Sequence, residues 1–250
     1  MAKTANGQTL IQAFEQWAPK SYAIDDDRKK IGLQLGTLNK PVKKIMTTLD
    51  VLENVVDEAI ENEIDLIIAH HPMIFHPLKK IDTETPRGRM IEKCLKHGIT
   101  VYAAHTNLDV ASGGVNDLMA EAMGLENTEV LVPTHETPLV KLVVFTPEDH
   151  AEEMRKALGD AGAGFIGNYS HCTFNSPGTG TFKPEDGTNP YIGSKGKLEK
   201  VSEVKIETIM PAGLQAKVIQ AMKKAHPYEE VAFDLYPLEN KGKVEGAGRI

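Results

Sequence analysis

The chain has 250 residues, 41% of them hydrophobic, and a formal net charge of -7. That length can bury a real core in one or two domains, while the acidic balance argues against a nucleic-acid footprint, which shows as a clustered basic surface. Cys94 and Cys172 lack CxxC spacing and are too few for a disulfide framework; no signal-peptide core follows Met1-Ala2-Lys3-Thr4 and no membrane span is visible, so reduced thiols and a cytoplasmic location are expected.

Leu10, Ile11, Phe14 and Trp17 recur at helical spacing, after which residues 32–36 and 44–49 read as strands. Asp50 reads as the cap of a helix that carries Val51, Val55, Val56, Ala59 and Ile60 on one face. An apolar strand follows, Asp65-Leu66-Ile67-Ile68-Ala69, closed by His70-His71-Pro72. Thr85-Pro86 reads as the cap and first-turn proline of a helix through Met90, Ile91 and Leu95, stopped by Gly98. A second apolar strand over 99–104 ends in His105-Thr106-Asn107-Leu108-Asp109, and Gly113-Gly114 opens one more helix that ends near Gly124. The alternation of strand and helix implies parallel pairing through right-handed crossovers.

The pattern changes after about residue 128. Strand 139–145, helix 147–161, an extended segment over 166–182 with a Gly-rich turn, strand 204–209, helix 211–225 and strand 231–235 follow one another. That is βαββαβ, the ferredoxin-like order. The expected organisation is therefore an α/β lobe over 1–128, which carries the His70-His71 and His105 strand ends, and a separate module over 129–240, with 241–250 reading as the start of something further.

Two strands that each deliver imidazoles at their carboxyl end supply most of a metal site, because open α/β sheets place ligands at that edge. Neutral imidazole suits divalent transition metals and a carboxylate oxygen can join two ions, so His70, His71, His105 and Asp109 form a coherent ligand set. Consecutive strand residues point to opposite faces, so both His70 and His71 reach one site only if the strand has ended, which Pro72 favours. The alternative is that one histidine binds and the other serves as a hydrogen-bonding partner behind it. His105-x-x-x-Asp109 is a helical i, i+4 spacing, but the preceding strand and Asn107 favour a loop. His76 reads as a partner behind the ligands, a substrate contact or an ordinary surface histidine. Asn116 reads as a helix cap or a ligand contact. Farther on, Gly178-Thr179-Gly180-Thr181-Phe182 offers backbone N–H groups to an anion without the lysine of a phosphate loop. A plain turn between helix and strand accounts for His226-Pro227-Tyr228-Glu229-Glu230; the alternative is that this segment, and His171 with Cys172, make a second metal or small-molecule site.

Ala69-His70-His71-Pro72 and His105-Thr106-Asn107-Leu108-Asp109, followed by Gly113-Gly114-Val115-Asn116-Asp117, resemble the Nif-three-like family, whose bacterial members are often labelled GTP cyclohydrolase 1 type 2 homologues. The likeness covers nearly the whole chain, because the second module is similar to the PII-like or CutA-like insert of the longer bacterial members. The resemblance implies an α/β fold with an inserted ferredoxin-like α+β domain. It also implies a dinuclear centre of two divalent metal ions held by His70, His71, His105 and Asp109, with Asp109 bridging, and a toroidal homohexamer for the full-length protein. Its second lobe, which follows the insert and supplies a further His and a Glu four residues later, is not among these 250 residues. The chain is read as a fragment or a truncation, from which a complete two-metal cage cannot be built alone.

For function, the resemblance implies a metal-dependent hydrolase in which metal-activated water attacks a nucleotide-like or other small heterocyclic substrate. Zinc, iron, manganese, nickel and cobalt all suit the ligands. No triphosphate-gripping cluster of Arg and Lys supports GTP itself. The rivals are a non-enzymatic metal-binding protein whose insert senses a small effector, and an interaction scaffold.

Overall fold

The computed structural model describes residues 4–250; Met1, Ala2 and Lys3 of the charged start lie outside the described residues. Two compact units divide the chain, one holding the residues up to His135 together with Val244–Ile250, the other Glu136–Lys243.

In the first unit, β1 (Ala5–Asn6) leads into α1 (Gly7–Trp17), where the Asn6 side chain accepts from the Gln8 N–H as an N-cap. Strands β2 (Gly32–Leu35), β3 (Pro41–Val42) and β4 (Ile45–Thr48) precede α2 (Glu53–Glu61). Strand β5 (Leu66–Ala69), helix α3 (Pro86–Lys96), strand β6 (Thr100–Ala103), the short helix α4 (Thr106–Val110) and α5 (Val115–Ala122) complete it. Helix α3 starts as its sequence directs: Thr85 accepts from the Gly88 N–H and Pro86 occupies the first turn. Gly98 takes the left-handed conformation at its end, with φ of 65°.

The main sheet has the order β2-β6-β5-β4. Both β4–β5 and β5–β6 are parallel and β2 runs antiparallel to β6. Each central strand is apolar on both faces because both are covered. Ile67 and Val101 pack with Val56, Ile91 and Cys94 from α2 and α3, whereas Leu66 and Tyr102 pack on the other face with Ile11 of α1. Burying a side chain such as Ile67 stabilises by about 1.5–3 kcal/mol. Register pairs Ala69 with Ala103, so β5 and β6 end side by side at one edge.

The second unit comprises most of β7 (Val130–Pro147), then α6 (Ala151–Asp160), β8 (Phe174–Phe182), β9 (Glu199–Pro211), α7 (Gln215–Ala225) and the first part of β10 (Phe233–Arg249). The order β10-β7-β9-β8, with β9 antiparallel to both β7 and β8, is the ferredoxin-like arrangement. Leu142, Val144, Ile206 and Met210 on the sheet meet Met154, Leu158, Val218 and Met222 of the two helices. Several boundaries differ from the sequence reading: β7 begins at Val130 rather than 139, and β9 spans Glu199–Pro211 rather than 204–209. Helix α6 is preceded by a 3-10 turn over Glu148–His150, the extended segment becomes a strand only from Phe174, and the last strand runs on to Arg249.

Candidate functional site

His70 and His71 follow β5 directly. The chain is still paired there, with the His70 N–H donating to Thr48 O at 2.9 Å and the His71 N–H to Leu49 O at 2.8 Å. His105 lies two residues beyond the end of β6 and opens α4. The three rings gather, with centroids 5.1 Å apart for His70–His71 and for His70–His105 and 5.5 Å for His71–His105. One nitrogen from each lies within 4.8 Å of the other two. Asp109 reaches the edge of this group, its Oδ1 3.6 Å from His70 Nε2.

Each ring is fixed by an oxygen acceptor at Nδ1. His70 Nδ1 donates to the Ala104 carbonyl at 3.1 Å, His71 Nδ1 to Asp50 Oδ1 at 2.8 Å, and His105 Nδ1 to both Asp27 oxygens at 2.9 Å. Carbonyls and ionised carboxylates only accept, so Nδ1 carries the hydrogen in all three. Nε2 is left as the free donor atom of each ring. An oxygen behind each imidazole that sets its tautomer and aim is the arrangement used to present histidine to a metal.

The electrostatics agree with that arrangement. Burial holds His70 below the ordinary imidazole value against the pull of Asp109, so it is a neutral nitrogen donor near neutral pH. Burial pushes the Asp109 carboxyl up, opposed by His70 and His105. Asp27 is pushed up by its burial, but hydrogen bonds from Thr106 and His105 outweigh this and hold it below the ordinary carboxylate range. The donor set therefore fits a divalent transition metal: three oriented imidazoles, and beside them a partly desolvated carboxylate that would gain by meeting a cation.

Asn116 does not cap α5, whose N-cap is Gly114; its side chain instead donates to the Asp109 carbonyl at 2.8 Å. It shares with His70, His71, Asp109, Ile24 and Met119 the wall of an open depression of about 820 Å³. His76 is exposed, set edge-on to Phe75, and is not one of the three gathered histidines. The segment after His105 is helical rather than a loop. The Asp27 carboxylate accepts from the Thr106 N–H at 3.1 Å and its hydroxyl at 2.6 Å, satisfying the start of α4 and overriding the turn preference of Asn107. Asp50 is no helix cap, since α2 begins at Glu53 behind Leu52 and Asp50 turns to His71.

Asp27 and Asp50 are the participants that sequence reasoning missed. Asp50 carried a usable signal, standing just past β4 at the edge where the histidines emerge. Asp27 carried none, as the last residue of an Asp25-Asp26-Asp27 run that reads as solvated charge.

A family model described as Duf34/NIF3 (NGG1p interacting factor 3) matches residues 5–233. The GTP cyclohydrolase 1 type 2 homolog of Bacillus subtilis (strain 168) is 62% identical over 250 residues, covering 100% of this chain and 66% of that relative. The protein of the same name from Mycobacterium tuberculosis (strain ATCC 25618 / H37Rv) is 37% identical over 242 residues, covering 96% of this chain and 63% of its own length. Among solved structures, a Bacillus cereus protein related to NIF3 superposes with a TM-score of 0.84 at 61% identity, covering 99% of this chain and 65% of that one. The chain thus spans about two thirds of the length of these relatives.

Proposed function

Given that the chain belongs to the Duf34/NIF3 family, we propose that it is a divalent-metal-binding protein and, with its metals in place, a hydrolase of a nucleotide-like or other small heterocyclic molecule. One observation carries the reading: all three gathered histidines have Nδ1 committed to an oxygen, which leaves three Nε2 atoms free at one sheet edge. His70, His71 and His105 would hold the metal through Nε2, and Asp109 would add a carboxylate beside them. Such a cation supplies Lewis acidity, activating water near neutral pH and polarising substrate oxygen.

The chain's own residues have definable tasks. Asp27, Asp50 and the Ala104 carbonyl hold the rings in orientation. Asn116 ties the backbone of Asp109 to α5. The open depression beside them gives a small substrate access. Relatives named GTP cyclohydrolase 1 type 2 homolog support ring-opening hydrolysis as the reaction class. A cytoplasmic location is supported by two free cysteines. Among the described residues no helix is long and apolar enough to cross a membrane. A toroidal hexamer of the full-length protein rests on the resemblance alone.

The test is elemental analysis of purified full-length protein with anomalous scattering at the cluster, followed by assay of GTP and a panel of cyclic and nucleotide substrates. Bound divalent metal is expected, with turnover that disappears in His70→Ala and Asp109→Ala. Metal binding without turnover on any substrate moves the protein to the non-enzymatic class, and failure to bind any divalent metal ends the reading.

A further inference from the structure

Two segments singled out in the sequence have no part in the histidine cluster, and they meet in the ferredoxin-like unit. Gly178-Thr179-Gly180-Thr181-Phe182 at the end of β8 and Tyr228-Glu229-Glu230 after α7 line one cavity of about 690 Å³. That volume lies within the range of small-molecule sites, and its walls have the usual mixture of aromatic surface and a few converging polar groups. Phe182 and Tyr191 flank Tyr228, with ring centroids 5.9 Å and 6.2 Å from it.

The polar group that matters is Glu203 of β9. It lines the cavity and is only 8% exposed. Among the described residues it takes one hydrogen bond, from the Tyr228 hydroxyl at 3.1 Å, and no ion pair. A buried carboxylate without a countercharge is costly. The neighbouring His226 imidazole does not relieve it. His226 Nε2 donates to Phe145 O at 2.8 Å while its Nδ1 accepts from the Tyr228 N–H at 3.1 Å, which fixes the ring as neutral. Gly180 makes room for the carboxylate, since a side chain there would run into the Glu203 Oε2. Lys183 and Lys205, the bases in the wall, are paired with Glu185 at 3.1 Å and Glu207 at 3.0 Å. Glu229 and Glu230 add negative charge. An anion at the Gly178–Gly180 backbone would face this carboxylate, so the phosphate-loop alternative does not hold here. His171 and Cys172 do not line the cavity either; His171 lies 3.3 Å from Asp160.

We infer that this cavity binds a small planar nitrogen base, an amidine or an amino-substituted heterocycle, which donates N–H to Glu203 and rests on the faces of Tyr191 and Tyr228. The buried carboxylate sets the sign and the donor requirement, and the aromatic walls set the flat shape. The inference stands apart from the metal reading, because every residue it uses lies within Glu136–Lys243.

The experiment is calorimetric titration of the full chain with benzamidine and 2-aminobenzimidazole, and with benzoate as the flat anion of matched size. Both bases are expected to bind and benzoate is not. Glu203→Gln should weaken both about tenfold or more, as a charged hydrogen bond becomes a neutral one. Tyr191→Ala removes a half-exposed ring that no core depends on, so it tests the stacking wall even if Glu203→Gln fails to fold; it should weaken both bases severalfold. The inference is overturned if benzoate binds as well as the bases, if neither base binds at about 10 mM, or if affinity is unchanged in Tyr191→Ala or in folded Glu203→Gln. Base binding that requires an added divalent cation would overturn it too, by making the acidic wall a metal site.

Discussion

The two units arrange imidazole and carboxylate in opposite ways. At the sheet edge of the α/β unit the groups that face outward are imidazole nitrogens, and two of the carboxylates, Asp27 and Asp50, stand one layer behind them. In the ferredoxin-like unit the carboxylate is itself the wall, and the imidazole, His226, is withdrawn behind it and locked neutral. Nitrogen donors backed by charge suit an ion that makes short directional bonds. A bare carboxylate among aromatic rings suits an organic base that is held by shape as well as charge.

His105→Ala should separate the two sites most sharply. Losing one of three converging nitrogens should reduce metal affinity by more than about 100-fold, measured by competition with a chelator, while benzamidine affinity stays unchanged. Loss of both would mean that the sites are not separate. Asp27→Ala comes next: metal affinity should fall about 10–100-fold, and thermal unfolding should show a loss of about 1 kcal/mol as the start of α4 loses its acceptor. Asp50→Asn should cost less, about tenfold or under. His71 and Asp50 are 45% and 46% exposed, against 23% and 8% for His105 and Asp27, so water can stand in for the lost oxygen.

The smallest effect concerns His226. Burial lowers its titration below the ordinary value of 6.5, against the hydrogen bond to Phe145 and the charge of Glu203. As pH falls below 6.5 the unfolded chain therefore takes up this proton before the folded one does. Its contribution to stability is complete above that pH and is lost as pH falls through the folded value. His226→Gln should flatten the decline in denaturation midpoint between neutral pH and pH 5. An unchanged slope would show that the ring is not held neutral.

Much of the architecture was legible because it depends on periodicity. The apolar runs that became β5 and β6, the Thr85-Pro86 helix start and the βαββαβ order all follow from local pattern; the structure places β5, β6 and that helix start within a few residues of expectation and keeps the order, while β7, β8 and β10 differ in extent. His70, His71 and His105 were legible as a group because strand ends in a parallel sheet have a known common edge. What supports them was not. Asp27 meets His105 across 78 residues, and a contact at that separation leaves no spacing to read. Asp50 was assigned to a nearby helix by its local preference, which yielded to a stronger hydrogen bond with His71. The expectation of a loop after His105 failed for the same reason, since the acceptor that starts α4 comes from elsewhere in the chain. The cavity in the second unit was foreshadowed only by its two motifs. Glu203, which gives it chemical character, sits in a strand that alternates like any other.

The Asp27 carboxylate grips the His105 ring and the first amide of α4 together, and Asp109 rides on that same short helix. One carboxylate thus anchors the short segment that bears both the His105 imidazole and the Asp109 side chain, so a single side chain from a distant turn fixes the mount they share.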